Sequence, residues 1–415
     1  MLVRKSFPTI DTATHSTLSV KYLLRGLPDQ SIAIELLTKR IKSITEISPV
    51  VVVIVIYSLL KRDLVNGCPS SCFCTGTEVN CLRISLDEIP ANIPLNTTYL
   101  DLSGNYITTV GPNALSGFTS LTELDLSGNE ITTVGPSALS GLTSLQYCKD
   151  LAYNDITTVG PNALSGLTSL TELDLEHNKL VSLPEDLLSS NTNLKNLDLE
   201  SNKLESLPEG LLTMNTNLQN LYLEDNKLES LPEGLFTLNK NLQNLDLRNN
   251  SLVCLPKDLL SSNTNLEKLD LTNNNLVSLP KDLLSSNTNL KTLYLAGNPF
   301  ICCLMIEFRE WASNQTQLNY FGECTVLDKT EDIDIFDTED CIIPAMVNGG
   351  WCPWFNSSCS VTCGDGVIIK TRTCDNPPPS DGGLNCDGSK TETSHCNLGK
   401  CPESCSHSKK GSNNK

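Results

Sequence analysis

Two residue classes in this 415-residue chain have the spacing to do chemistry: cysteines in tight clusters and carboxylates at a fixed period. Eighteen cysteines fall mainly at 68 to 81, 302 to 341 and 352 to 405, with Cys148 and Cys254 standing alone between clusters. Such clusters either bind zinc or oxidise. The four histidines (His15, His177, His395, His407) have no ligand spacing, so disulfides in an oxidising compartment are the better fit. There are 48 acidic side chains against 30 basic, a net charge of −18, and residues 68–343 hold 37 of the acids against 14 basic groups. A surface of that sign attracts cations and repels nucleic acid and anionic membrane. No nucleophile elbow, phosphate-cradling glycine loop, metal-ligand spacing or triad occurs, so the expectation is no enzyme, no cofactor and no metal.

A repeat positions the carboxylates. The pattern L-x-x-L-x-L-x-x-N leads off at Thr97, Leu121, Leu145, Leu170, Leu194, Leu218, Leu242, Leu266 and Leu290, every step being 24 residues except the 25 from Leu145 to Leu170. Its L-x-L segment alternates like a strand with one buried face, and the following asparagine can satisfy backbone groups at a turn. One such unit cannot bury its leucines alone; nine stacked units make a curved parallel sheet over a continuous leucine core. Prolines at 184, 208, 232, 256 and 280 predict irregular turns and short helical pieces on the convex side. The pattern is identified as the leucine-rich repeat, which implies an α/β-type leucine-rich repeat solenoid.

The repeat register puts a candidate ligand surface on the concave face: Glu123, Asp125, Lys149, Glu172, Asp174, Glu176, Asp198, Glu200, Tyr222, Glu224, Asp246, Arg248, Asp270 and Tyr294. The column of Asp101, Asp125, Asp174, Asp198, Asp246 and Asp270 sets like charges on neighbouring strands, where a cationic ligand would relieve repulsion. Solvated charges keeping an exposed sheet soluble are the plainer reading of the same residues. In residues 145–154, LQYCKDLAYN, the extra residue falls at Cys148, Lys149 or Asp150, and a β-bulge is expected there with Cys148 filling part of a leucine pocket. A bond from Cys148 to Cys254 fails on distance, because four strands at ~4.8 Å separate them.

The solenoid needs caps, and the cysteines sit where caps belong. CPSSCFCTGTEVNC resembles the N-terminal cap of extracellular leucine-rich proteins, which implies Cys68–Cys74 and Cys72–Cys81. NPFICCLMIEFREW with Cys324 and Cys341 resembles the C-terminal cap, which implies Cys302–Cys324 and Cys303–Cys341, although no residue separates the adjacent cysteines as it usually does. Within this cap the segment from Leu327 to Asp340 reads as an acidic, flexible loop. The N-terminal cap and near-identical repeats are similar to the variable lymphocyte receptors, which join concave strands to such a cap loop; residues 344–415 depart from that plan.

Residues 349–401, with GGWCPWFNSSCSVTCGDG at their start, resemble a thrombospondin type 1 repeat. The resemblance implies a small three-stranded module, the pairs Cys359–Cys396, Cys363–Cys401 and Cys374–Cys386, and a cation–π ladder of Trp351, Trp354, Lys370 and Arg372. It also marks Trp351 and Thr362 as glycosylation candidates, and Asn96, Asn249, Asn314 and Asn356 head N-glycosylation sequons. The pairing of Cys148, Cys254, Cys352 and Cys405 stays open.

The resulting plan is a leader at 1–67, a cap at 68–96, nine repeats at 97–297, a cap at 298–343, the second module at 344–401 and a polar basic tail at 402–415. The run VVVIVIYSLL in the leader suits a secretory segment, or an anchor if it is retained, and membrane contact is expected only in the second case. The function expected is a secreted recognition or adhesion protein, including immune recognition, that binds a protein or glycan ligand, cationic in character. The alternative is a matrix or guidance scaffold with the second module as its main contact.

Overall fold

The computed structural model describes residues 68–112, 114–148, 151–160, 162–280, 282–341, 348–356, 359–361, 364–379 and 383–397. The leader, Lys149, Asp150, Thr362, Cys363, Cys401 and the tail lie outside the described residues, so the expectations placed on them do too. Among the described residues no helix is long and apolar enough to cross a membrane.

The N-terminal cap is a hairpin of β1 (Phe73–Thr75) and β2 (Glu78–Asn80), and β2 starts a parallel sheet. In the first three repeats the sheet takes β3 (Tyr99–Asp101), β5 (Glu123–Asp125) and β7 (Tyr147–Cys148), while β4 (Thr109–Val110), β6 (Thr133–Val134) and β8 (Thr158–Val159) form a second sheet on the flank after the turn. The main sheet continues through β9 (Glu172–Asp174), β10 (Asn196–Asp198), β11 (Asn220–Tyr222), β12 (Asn244–Asp246), β13 (Lys268–Asp270) and β14 (Thr292–Tyr294). Each step is in register by one repeat, as in Leu197 beside Leu221 and Leu221 beside Leu245. The flank sheet stops for a local reason. Gly135 and Gly160 donate their N–H groups to Val110 and Val134 of the preceding repeat, and from Pro184 onward a proline without an N–H takes that position.

Two ladders bind repeat to repeat. Leucines from every repeat are buried in one core. Beside them Asn226, typical of its column, donates to the carbonyls of Leu199 (2.9 Å), Leu223 (3.1 Å) and Glu224 (3.2 Å) and accepts from the Leu204 N–H (2.9 Å). One side chain thus satisfies backbone groups of two successive units, which is why asparagine recurs. The residue just before each ladder asparagine is left-handed, with φ from 50° to 72° at Gly104, Gly128, Tyr153, His177, Ser201, Asp225, Asn249, Asn273 and Gly297. Among the described residues the convex side of the repeats is built of turns, as the prolines suggested, without the short helical pieces also expected.

At the irregular third repeat β7 is two residues long, with Tyr147 beside Glu123 and Glu172, and Cys148 beside Leu173. Leu151 and Asn154 regain the core and the turn. The extra residue therefore enters at 149–150, and whether it forms a bulge lies outside the described residues.

The C-terminal cap holds helix α1 (Ile306–Ser313), a strand β15 (Asn319–Phe321) that joins the main sheet beside β14, and a hairpin of β16 (Glu323–Val326) and β17 (Lys329–Asp332). This hairpin corrects the reading of Leu327–Asp340 as a flexible loop. Ile333 and Phe336 are buried beyond it, and the Arg309 guanidinium lies 4.7 Å from the Phe336 ring while donating to its carbonyl. Apolar anchors every few residues hold the acidic segment down.

The second module is a three-stranded antiparallel sheet of β18 (Phe355–Asn356), β19 (Asp365–Thr371) and β20 (Thr391–Asn397). Disulfides join Cys68–Cys74, Cys72–Cys81, Cys302–Cys324, Cys303–Cys341, Cys359–Cys396 and Cys374–Cys386. One more, Cys254–Cys352, links the seventh repeat to the second module.

Candidate binding surface

The concave sheet offers three columns, and each does something different. The first runs Glu123, Tyr147, Glu172, Asn196, Asn220, Asn244, Lys268 in register. Its middle is an amide ladder: Asn244 donates to Asn220, Asn220 to Asn196, and Asn196 to Glu172.

The aspartates fill the second column, and the structure gives them a role that their regular spacing left unread. Each accepts the N–H two residues further on: Ser103 on Asp101 (3.0 Å), Ser127 on Asp125 (2.9 Å), Glu176 on Asp174 (3.0 Å), Glu200 on Asp198 (2.9 Å), Arg248 on Asp246 (3.2 Å) and Thr272 on Asp270 (3.0 Å). These are Asx-type turns that take the chain out of each strand, and they account for a like-charged column without a ligand. Asp246 and Asp270 are also buried, as is Glu224, so these three are not the open contacts expected of them.

In the third column stand Glu176, Glu200, Glu224 and Arg248. Arg248 bonds Glu224 at 2.8 Å and Asp246 at 3.3 Å, with Lys268 at 4.0 Å from Asp246, so cations of the array itself answer the carboxylates near β12. Burial still pushes Glu224 up to about 8, with Asp246 and Glu200 adding to it and Arg248 opposing. Burial likewise raises Asp246 and raises Asp198 to about 6, in the latter case with Glu176 and Glu200 adding.

The acid is most concentrated at the fourth and fifth repeats. Donor atoms of Glu176, His177 and Glu200 lie within 4.8 Å of one another, as do those of Asp174, Glu176 and Asp198. These two overlapping sets have the donors a divalent cation takes, although exposed acidic groups commonly share such spacing with no ion. Tyr153 borders them, stacked on His177 at 4.4 Å between centroids, and both rings stand in the left-handed slot that glycine fills in the first two repeats. Carboxylates, Glu176 first, raise the Tyr153 hydroxyl above its ordinary range. Sequence reasoning passed over both rings; the signal was a bulky residue in LAYN and LEHN where LSGN stands earlier.

A second aromatic area closes the far end. Tyr294 of β14 stacks on Phe321 of β15 at 5.6 Å, Lys268 stands 5.6 Å from the Tyr294 centroid, and Phe321 is 54% exposed. Phe321 went unremarked because β15 belongs to the cap and lies outside the repeat pattern. Tyr222, the other aromatic expected on this face, sits half-buried between Asp198 and Asp246.

In the second module the Arg372 guanidinium lies 4.0 Å from the Trp351 centroid and 4.2 Å from that of Trp354. Lys370 was expected to share this ladder. It stands instead opposite Asn356 and Glu392 in the sheet, two residues from the rung that Arg372 fills. Of the glycosylation candidates, Asn96 and Asn314 are exposed, while Asn249 is half-buried with its amide donating to Asp225 at 2.9 Å.

Comparison with known proteins divides the chain in the same way. The Leucine rich repeat family matches residues 96–148, 150–180, 174–228, 192–252 and 240–300, and the Thrombospondin type 1 domain family matches residues 349–401. Among curated proteins, mouse (Mus musculus) Semaphorin-5A is 47% identical over 70 residues, 16% of this chain and 6% of that protein. Guinea-pig (Cavia porcellus) Properdin is 45% identical over 71 residues, 16% of this chain and 15% of that protein. Mouse Thrombospondin-2 is 52% identical over 56 residues, 13% of this chain and 5% of that protein. The chain therefore spans a small part of the curated relatives it matches. A solved chain from the octameric complex of Latrophilin 3 (Lec, Olf), Unc5D (Ig, Ig2, TSP1) and FLRT2 (LRR) superposes with a TM-score of 0.54 at 23% identity, covering 67% of this chain and 100% of that one. That likeness is one of fold.

Proposed function

This chain carries leucine-rich repeats followed by a thrombospondin type 1 domain, and from that premise we propose an extracellular recognition and adhesion protein whose concave face binds a basic patch of a partner protein. The observation that carries this reading is the convergence of Asp174, Glu176, Asp198 and Glu200 beside the stacked Tyr153 and His177. Acid beside exposed aromatic rings is what a basic patch with a flat anchor requires. Glu176 and Glu200 are the residues to test, since they stand on that face without closing a turn as the aspartates do.

The test is a panel of extracellular ectodomains arrayed against the whole chain, with an oligolysine peptide as the charge-only control. Glu176→Lys with Glu200→Lys should weaken a captured ectodomain at least tenfold, and raising salt should slow its association. A captured ectodomain indifferent to both changes would discard the reading. Secretion, or anchoring through the leader, belongs to the same proposal and is checked by whether 1–67 is absent from protein recovered outside the cell. Immune recognition would show as natural variation gathered at the concave positions.

A matrix or guidance scaffold is the second reading, and the aspartate turns favour it, because they give much of the concave acid a structural role. The solved complex named above includes one chain with leucine-rich repeats and another with a thrombospondin type 1 domain. On this reading the second module makes the main contact, so the charge reversal on the array leaves adhesion intact and removal of 349–401 abolishes it.

A further inference from the structure

Near-identical repeats should have near-identical surroundings, and on the flank after the turn they do not. The serines of this column, Ser182 and Ser206, are exposed; Ser230 is half-buried; and in the seventh repeat the position is Cys254, 4% exposed. The neighbouring prolines follow the same course: Pro184 and Pro208 are half-buried, Pro232 and Pro256 buried. Charge changes at the same place. Glu185, Glu209 and Glu233 are followed by Lys257. The eighth repeat continues the trend, with Ser278 5% exposed and Pro280 buried, so this flank is covered from the sixth repeat on and open in the fourth and fifth.

The cover is the thrombospondin module. Cys254 is bonded to Cys352, with 5.9 Å between Cα atoms, and Cys352 takes no part in the module's own pairs Cys359–Cys396 and Cys374–Cys386. Both ends are tied into their own domains: the Val253 N–H donates to Glu229 at 3.2 Å, and the Cys352 N–H to Thr373 at 2.9 Å. Around the bond a cleft of about 790 Å³ has Glu233, Lys257 and Asp258 of the array on one side and Trp351, Arg372 and Asp375 of the module on the other. Burial raises the Asp375 carboxyl and Lys257 opposes that shift, so the lysine that breaks the glutamate series faces a desolvated acid.

We propose that the flank of the sixth and seventh repeats is a built docking surface for the thrombospondin module, and that Cys254–Cys352 locks the module there. Array and module then move as one body. This inference is independent of what the concave face binds, since the flank and that face are separate surfaces of the array.

The test uses the full chain. Non-reducing peptide mapping should find the Cys254 and Cys352 peptides joined. Cys254→Ser with Cys352→Ser leaves every other disulfide in place, and small-angle scattering should show a larger radius of gyration. Protease should cut between Cys341 and Asn348 at least tenfold faster. Lys257→Glu, with the bond intact, should speed the same cut severalfold through like charge against Asp375 and Asp258. A free Cys254 thiol, a Cys352–Cys405 pair, or a double variant with unchanged scattering and cleavage would overturn the proposal. If the double variant fails to fold, peptide mapping and the Lys257→Glu cleavage rate still decide.

Discussion

In the leucine-rich array each unit is held by its neighbours; in the thrombospondin module a short sheet is held by disulfides around its strands. The array buries whole columns of leucine and repeats one asparagine network at every turn. Among the described residues of the module the buried apolar side chains are Cys352 and Phe355, and the module relies on disulfides and on Arg372 between two tryptophans. The contrast teaches where damage should spread. A lost side chain in the array affects the repeats on both sides, whereas one lost in the module stays local.

The largest effect should come from Asn226→Ala. It leaves the Leu204 N–H and the Leu199 carbonyl buried without their side-chain partner, at a cost of about 2 to 5 kcal/mol, and hydrogen exchange should rise in the fifth and sixth repeats together. Exchange confined to one repeat would break the comparison. Next is Cys148→Leu: it restores the leucine that the repeat pattern carries at this position, as at Leu124, and should raise array stability by about 1 to 3 kcal/mol, read as a higher melting temperature. Arg372→Ala should cost the module about 1 to 2 kcal/mol and leave the main melting transition of the array where it was.

The array should also depend on pH. Glu224 rises from an ordinary 4.5 to about 8 in the folded array, so the folded state holds this proton more tightly than the unfolded chain. Its contribution is therefore most favourable at the acid side and is lost as pH rises from about 4.5 to 8. Glu224→Gln keeps a neutral acceptor for Arg248 and removes that loss, so the variant should gain on the native protein between pH 5 and pH 8. An equal difference in melting temperature at both pH values would show that Glu224 titrates normally.

Whatever depends on one repeat alone was legible in the chain. The leading leucines, the turn asparagines and the concave register all follow from a 24-residue period, and the structure places them as that period predicts. The aspartate turns were legible in principle, since a residue that accepts from its own backbone two positions on is a local device; the like-charged column drew attention away from it. Tyr153, His177 and Phe321 depend on which residues come to lie side by side across repeats or across the cap boundary. The bond from Cys254 to Cys352 spans 98 residues, and no spacing rule connects its ends.

That bond also fixes how many repeats can follow it. Adding or removing one 24-residue unit before the sixth repeat shifts the N-terminal cap and leaves the contacts of Ser230 to Asp258 with the module in place. The same change between Cys254 and the cap at Cys302 would move the module's point of departure by one strand spacing, ~4.8 Å, away from the flank that receives it. The array is thus free to grow at its beginning and is held to one count at its end, so natural length variants of this protein should differ in the repeats that precede the sixth.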